Sequence, residues 1–269
     1  MPNAPIEHLS GACARSAVAE VGWLRPDSSV GVAVLTPLVL DGCPAFALPY
    51  SSARLARAIG ASTAVAVVLS DGRMAGRGWE PMAATGTVEL LADPSGERYV
   101  QSLVAQELRK HPPARALADS ALLRREHWWY LPRLIVRVTE LDRLRSVGPR
   151  AGPDEAVLMS AAGEGSIEAD TVAVGDWDAD RLSLRSLGGR GPSGTVGAPA
   201  AVLAHDFSVP DRERDCAQVV RGRLTVDVLD VDAREGSRAL PPPLGLLGRV
   251  QRQRRLGRAC RAALREETG

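Results

Sequence analysis

"GASTAVAVVLSD", residues 60–71, and "GAPAAVLAHDFS", residues 197–208, carry the reading of the whole chain. The first is almost continuously apolar and rich in valine, the pattern of a strand buried on both faces, and it closes on an Asp71-Gly72 turn signal. The second repeats it at an offset of 137 residues. A further pair nearly keeps that register: "ATGTVELL", from Ala84, matches "VRGRLTVDVL", from Val220, and their shared glycines, Gly86 and Gly222, lie 136 residues apart. Two matches at nearly one offset predict an internal duplication.

Working outward from the first copy, "VGVAVLTPLVL" reads as a strand, Asp41-Gly42 as a hairpin turn and "CPAFALPY" as the strand after it. "SSARLARAIG", residues 51–60, is a short helix with Leu55, Ala58 and Ile59 on one face. The loop after Asp71 holds Arg73, Arg77 and Trp79, and "AATGTVELLAD" supplies another strand. Residues 5–22 are compatible with a helix, and the segment from Gly96 to about Arg125 reads as two helices divided at Pro112-Pro113. In "LIVRVTEL", Leu134, Val136 and Val138 face one side of a strand, with Arg133, Ile135 and Arg137 on the other. In the second copy, "DTVAVGDWDADRLSLRSL" gives two strands joined near Trp177, and the glycine-rich "GGRGPSGTVG" stands where the short helix was. The expected division is a first unit over 1–150, a second and more degenerate unit over 151–236, and a proline-rich linker with a basic helix over 237–269.

Composition narrows the function classes. A chain of 269 residues, 45% hydrophobic and 24% charged, has the make-up of a folded globular protein rather than a disordered one. Its net charge of +1 gives no overall field to recruit nucleic acid, which is not an expected partner. Cys13, Cys43, Cys216 and Cys260 stand far apart with no C-x-x-C pair, so neither a zinc site nor a disulfide framework is expected and the thiols should be reduced in the cytoplasm. No stretch approaches the ~20 apolar residues of a membrane helix. The hydrolase and zinc-protease motifs are missing, and "GGRGPSGTVG" lacks the Gly-Lys-Ser/Thr of a phosphate loop. No residue declares itself as a catalytic acid or base. The tail "LGRVQRQRRLGRACRAALR" carries seven arginines and is only loosely amphipathic.

The order of these elements, from the Asp-Gly hairpin through "SSARLARAIG" to the strand after "WWYLPR", resembles the flavin-binding split β-barrel family related to pyridoxamine 5'-phosphate oxidase. The resemblance runs from Pro5 to about Leu144, with a weaker version to about Val231. It implies a mainly β fold of the α+β kind with flanking helices. It also implies cofactor sites at a dimer interface, which a tandem copy would turn into an intramolecular pseudo-dimer, either as a monomer or paired again as a homodimer. In that family a serine and a basic residue at the start of the short helix hold the flavin phosphate, which places Ser52 and Arg54 in that role with Ser51 and Arg57 beside them. The helix N-terminus itself favours an anion, although a serine N-cap and an exposed arginine are ordinary features of helix starts. The arginine-glutamine pair that the oxidase carries before the next strand is absent, because Glu80 and Pro81 occupy those positions; Arg73 or Arg77 would have to substitute.

"REHWWYLPRLIVRV", residues 125–138, concentrates two of the five tryptophans and one of the three tyrosines. By the resemblance this strand runs along the interface, so Trp128, Trp129 and Arg133 would border a cofactor ring where the first unit meets the second; equally, the rings could only fill the seam. Three readings stand. The chain is an FMN- or deazaflavin-binding oxidoreductase-like protein acting on a small-molecule substrate; or it binds or degrades haem, with His127 or His205 as ligand; or it is a binding or assembly module with no cofactor. No other metal site is expected.

Overall fold

The computed structural model describes residues 4–114, 128–163, 165–189, 191–192 and 194–268. Helix α1 (Ala4–Arg15) is followed by seven strands: β1 (Ala19–Leu24), β2 (Val30–Leu35), β3 (Leu38–Leu40), β4 (Cys43–Pro49), β5 (Val65–Leu69), β6 (Met82–Asp93) and β7 (Arg133–Ser146). Helix α2 (Ala53–Gly60) joins β4 to β5, and a π-helical turn (Tyr99–Leu103) leads into α3 (Val104–Lys110) between β6 and β7. The second sheet contains β8 (Glu155–Ala162), β9 (Ser166–Val174), β10 (Arg181–Ser186), β11 (Pro199–Phe207), β12 (Asp215–Thr225) and β13 (Val228–Gly236), and α4 (Leu246–Thr268) ends the described chain.

Strand order shows the duplication directly. The first sheet runs β2-β1-β5-β6-β7-β4-β3 and the second closes into a barrel as β10-β13-β12-β11-β8-β9. Without the short β3, both follow one order: second, first, fourth, fifth, sixth, third. All the strand pairings within them are antiparallel. The two glycines read as equivalent from the sequence occupy the same structural position. The β6–β7 ladder shifts register at Thr85/Gly86 and the β12–β13 ladder at Arg221/Gly222, a β-bulge in each case. A Cβ on Gly86 would lie 1.9 Å from the Glu140 carbonyl oxygen, and one on Gly222 would lie 1.9 Å from that of Asp230. The architecture is thus the mainly β, tandem one that the resemblance implied.

Alternation along the strands sorts the apolar side chains into layers. In the first unit Val65, Val67 and Leu69 of β5 point into a core with Val21, Phe46, Leu134 and Val136, while Ala64, Ala66 and Val68 face the other way. That second face does not meet solvent. It packs against Val157, Met159, Ile167, Ala169, Ala201 and Leu203 of the second unit, so the two sheets share one apolar seam. The contacts are reciprocal, with β2 lying on β11 as β9 lies on β5, the relation of a pseudo-twofold axis. A separate core, including Leu158, Trp177, Leu182 and Val202, fills the second barrel.

Three local expectations differ from the outcome. The helix expected over 5–22 stops at Arg15, because Ala19–Leu24 pairs with both β2 and β5 as the strand nearest the axis. "VGVAVLTPLVL" divides into β2 and β3 at Thr36-Pro37, since proline has no N–H to give a ladder. Strand β8, which the sequence reading did not pick out, is the counterpart of β1.

The shared bulge yields a prediction. Gly86→Ala and Gly222→Ala should each lower stability by about 1–3 kcal/mol, the usual cost of forcing atoms into filled space. Urea midpoints would show it, and a Gly222→Ala protein as stable as the parent would refute the tight approach of β12 to β13.

Candidate functional site

Between the two units lies a cavity of about 290 Å³. One wall is the seam-facing side of the first unit: Thr63 and Ala64 before β5, Ala83 and Thr85 on β6, and Arg143 and Arg145 on β7. Gly165 through Ala169 of the second unit form the opposite wall. Ala64, Ala83, Ile167 and Ala169 give the lining an apolar part, Thr63, Thr85 and Ser166 bring hydroxyls, and Asp142 and Glu168 place carboxylates beside the two arginines. The two arginines are held from across the seam: Arg143 pairs with Glu168 at 3.3 Å and Arg145 with Asp170 at 3.6 Å, with a further bond from Arg145 to the Ala169 carbonyl.

The pseudo-twofold axis provides an internal control. Counting from the bulge glycines, Thr85 pairs with Arg143 and Ala83 with Arg145, and the same positions in the second unit pair Arg221 with Ala233 and Val219 with Glu235. Ala233 and Glu235 therefore stand where the cavity has Arg143 and Arg145, and Arg221 is itself paired to Glu235 at 2.9 Å. The second unit carries its arginine, Arg221, at the position equivalent to Thr85, so the two sides differ in which strand bears the charge.

Beyond the end of β5 the seam is closed by buried charge. Glu20 of β1 is wholly buried; its Oε1 accepts from Ser70 Oγ at 2.6 Å and lies 2.7 Å from His205 Nε2 of β11. Donation by Nε2–H to the carboxylate is the assignment that suits an ionised Glu20. Arg150, on the connection between the units, reaches Glu20 at 3.5 Å, Asp71 at 3.7 Å and the His205 carbonyl at 3.2 Å. Burial by itself would raise the Glu20 pKa, but the His205 hydrogen bond, the charges of His205 and Arg150 and the Ser70 hydroxyl outweigh it and bring it down to about 2.

The residues marked in the sequence are distributed over three places. Ser51 and Ser52 form a half-buried turn before α2; Ser52 makes no capping bond, Arg54 is exposed, and Arg57 is paired with Glu267 of α4. Arg73 is occupied by Asp71 at 2.6 Å and Asp206 at 2.5 Å, and its guanidinium lies 4.1 Å over the Phe207 ring; Arg77 is exposed in the same loop. The aromatic trio does not stand at the seam. Trp129 and Tyr130 are buried with Leu108 of α3 and Leu256 and Cys260 of α4, and Trp128 is 55% exposed. Arg133 is wholly buried between the Tyr99 and Tyr130 rings, 3.9 and 4.1 Å away, with Glu107 at 3.9 Å. These side chains therefore brace the helices of the first unit. His205 is bound into the Glu20 network through Nε2 and stacked on Phe207, and His127 lies outside the described residues. Among the described residues no group of His, Cys, Asp and Glu is spaced to hold a metal.

Arg143, Arg145, Glu20 and Arg150 were not singled out in the sequence. A signal was present for three of them: Glu20 is the one charge in an otherwise apolar "AVAEVGWL", and Arg143 and Arg145 alternate in "LDRLRS" opposite the bulge.

No protein-family model and no curated protein matches the chain. Among solved structures, an F420 reductase is 20% identical, with 54% of this chain and 98% of that one covered at a TM-score of 0.36. A heme binding protein from Mycobacterium smegmatis is 15% identical over 98% of both chains, at 0.34. A pyridoxamine 5'-phosphate oxidase-related, FMN binding protein from Nostoc punctiforme is 14% identical over 64% of this chain and 98% of that one, also at 0.34. At such TM-scores the fold rests on the strand order and pairing of the chain itself.

The Glu20 network sets a pH dependence. Because the folded-state pKa lies below the ordinary ~4.3 of a glutamate, its stabilisation is complete above that value and is lost as pH falls towards about 2. Glu20→Gln should flatten this acid limb, and Glu20→Ala should cost about 3 kcal/mol at neutral pH, since Arg150 then keeps only Asp71 and His205 loses its carboxylate. Urea titrations between pH 2 and 7 would read both; an unchanged acid limb in Glu20→Gln would remove Glu20 from the linkage.

Proposed function

We propose that the chain binds a flavin-type cofactor, FMN or a deazaflavin, in the seam cavity and serves a redox reaction on a small molecule. The observation that carries this reading is the pair Arg143 and Arg145 on β7 beside the cavity, at positions where β13 has Ala233 and Glu235. Structural upkeep of a symmetric seam calls for no such difference. A cavity of about 290 Å³ is at the small end of ligand pockets, suited to covering a planar ring while a tail extends to the rim.

The lining fits such a group in kind. The apolar side chains of Ala64, Ala83, Ile167 and Ala169 offer surface against which a ring could pack. Thr63, Thr85 and Ser166 can donate to ring carbonyls or ribityl oxygens, and Arg143, the more exposed arginine, can turn from Glu168 to a phosphate at the rim. A bound flavin would supply the electron transfer; the protein's part is to orient it and shield it from water. The phosphate clamp expected at Ser52 and Arg54 is the competing site. It is less suited, because α4 lies across that turn and Glu267 already occupies Arg57. The haem reading is the less supported, since His205 is committed to Glu20.

Purified protein should retain FMN or a deazaflavin through gel filtration, seen by absorbance. Arg143→Ala with Arg145→Ala should weaken that binding at least tenfold, from loss of charge-assisted hydrogen bonds worth about 1.5–3 kcal/mol each, while Arg54→Ala leaves it unchanged. Loss in Arg54→Ala alone would move the site to α2, and failure to retain either compound would overturn the proposal.

A further inference from the structure

Helix α4 has two halves in different surroundings. Its second half is seated: Gly257, Cys260 and Leu264, three and four residues apart, are buried towards Trp129 and the Tyr50–Ser52 turn, and Glu267 meets Arg57. The first half is not covered. Leu246 is 79% exposed and Leu247 78%, with Leu244 and Val250 exposed beside them. Leu247 and Val250 also begin a row, stepping by three or four residues, that continues through Arg254, Arg258, Arg261 and Arg265. One flank of the helix therefore runs from an apolar tip into arginines.

Charge is segregated in the same direction. The helix has seven arginines against Glu266 and Glu267, whereas the whole chain is only +1, so the remainder is net negative. Arg249 pairs with Glu213 at 2.8 Å and Arg261 lies 5.9 Å over the Trp129 ring. Among the described residues no ion pair engages Arg252, Arg254, Arg255, Arg258 or Arg265.

The combination selects between ligands. A nucleic acid backbone or an acidic peptide would take the arginines and leave the leucines in water. A second copy could cover the leucines but would bring seven more arginines to the contact. The interfacial zone of a bilayer containing anionic lipid accommodates both, apolar side chains at the acyl boundary and guanidinium groups on the phosphates. We infer that α4 docks the protein peripherally on an anionic membrane surface, with Leu244, Leu246, Leu247 and Val250 inserted and the arginine row on the headgroups. No helix among the described residues is long and apolar enough to cross a membrane, so the attachment is superficial. The exposed Pro241-Pro242-Pro243 spacer leads directly into the tip.

Full-length protein would be co-sedimented with vesicles of phosphatidylcholine alone or mixed with phosphatidylglycerol. Binding is expected only to the anionic vesicles and should fall as salt is raised. Leu246→Glu with Leu247→Glu should reduce it at least about tenfold; circular dichroism should be unchanged, because both side chains are exposed. Equal binding to both vesicle types, no binding to either, or binding indifferent to the leucine changes would overturn the inference. So would a dimer detected by light scattering and broken by the same changes, or capture of an RNA duplex, where vesicles are not bound.

Discussion

The fold depends on one close approach, the packing of two sheets through faces made of small side chains. Ala64, Ala66 and Ala83 on one side meet Ala169 and Ala201 on the other, and a Cβ on Gly22 would lie 2.1 Å from Met159 Sδ. Neither sheet could leave this face in water, since strands apolar on both sides need cover on both. Once the seam closes, each unit's second core is fixed by alternation along the same strands. The tandem arrangement is therefore a requirement of burial, and the second unit is the cover that the first unit lacks.

A seam of alanine and valine specifies position only loosely, and polar groups at its margins supply what it lacks. Glu20, His205, Arg150, Ser70 and Asp71, all buried, join both units and the segment between them. Buried charge of this kind adds little net stability over an apolar replacement, yet is costly to break. Its effect is to tie His205 of β11 to Glu20 of β1 across the seam. The cavity lies in the same seam: β9 packs on β5 and β6 of the first sheet, and the arginines of β7 reach across to Glu168 and Asp170.

Most of the fold was legible in the sequence, and the site was not. The offset between Gly86 and Gly222 was readable because a bulge that brings backbone against backbone accepts only glycine, so the requirement leaves a mark at one position. Arg143 and Arg145 leave no such mark. On an edge of alternating charge they resemble any solvated strand, and their meaning comes from Gly165–Ala169 of a distant segment. The Trp128–Tyr130 cluster misled for the converse reason: a concentration of rings signals large burial but not the partner, which proved to be α3 and α4 rather than the second unit.

The sequence by itself determined the local periodicities: which strands are apolar on both faces, where glycine and proline end them, and that the pattern occurs twice. These follow from steric and solvation rules acting over a few residues. Only the tertiary structure decided which faces meet, that Glu20 and His205 share a proton-bearing contact 185 residues apart in the chain, and that Arg143 and Arg145 border a cavity between the units. Those outcomes depend on distances between segments far apart in sequence, and no local pattern encodes them.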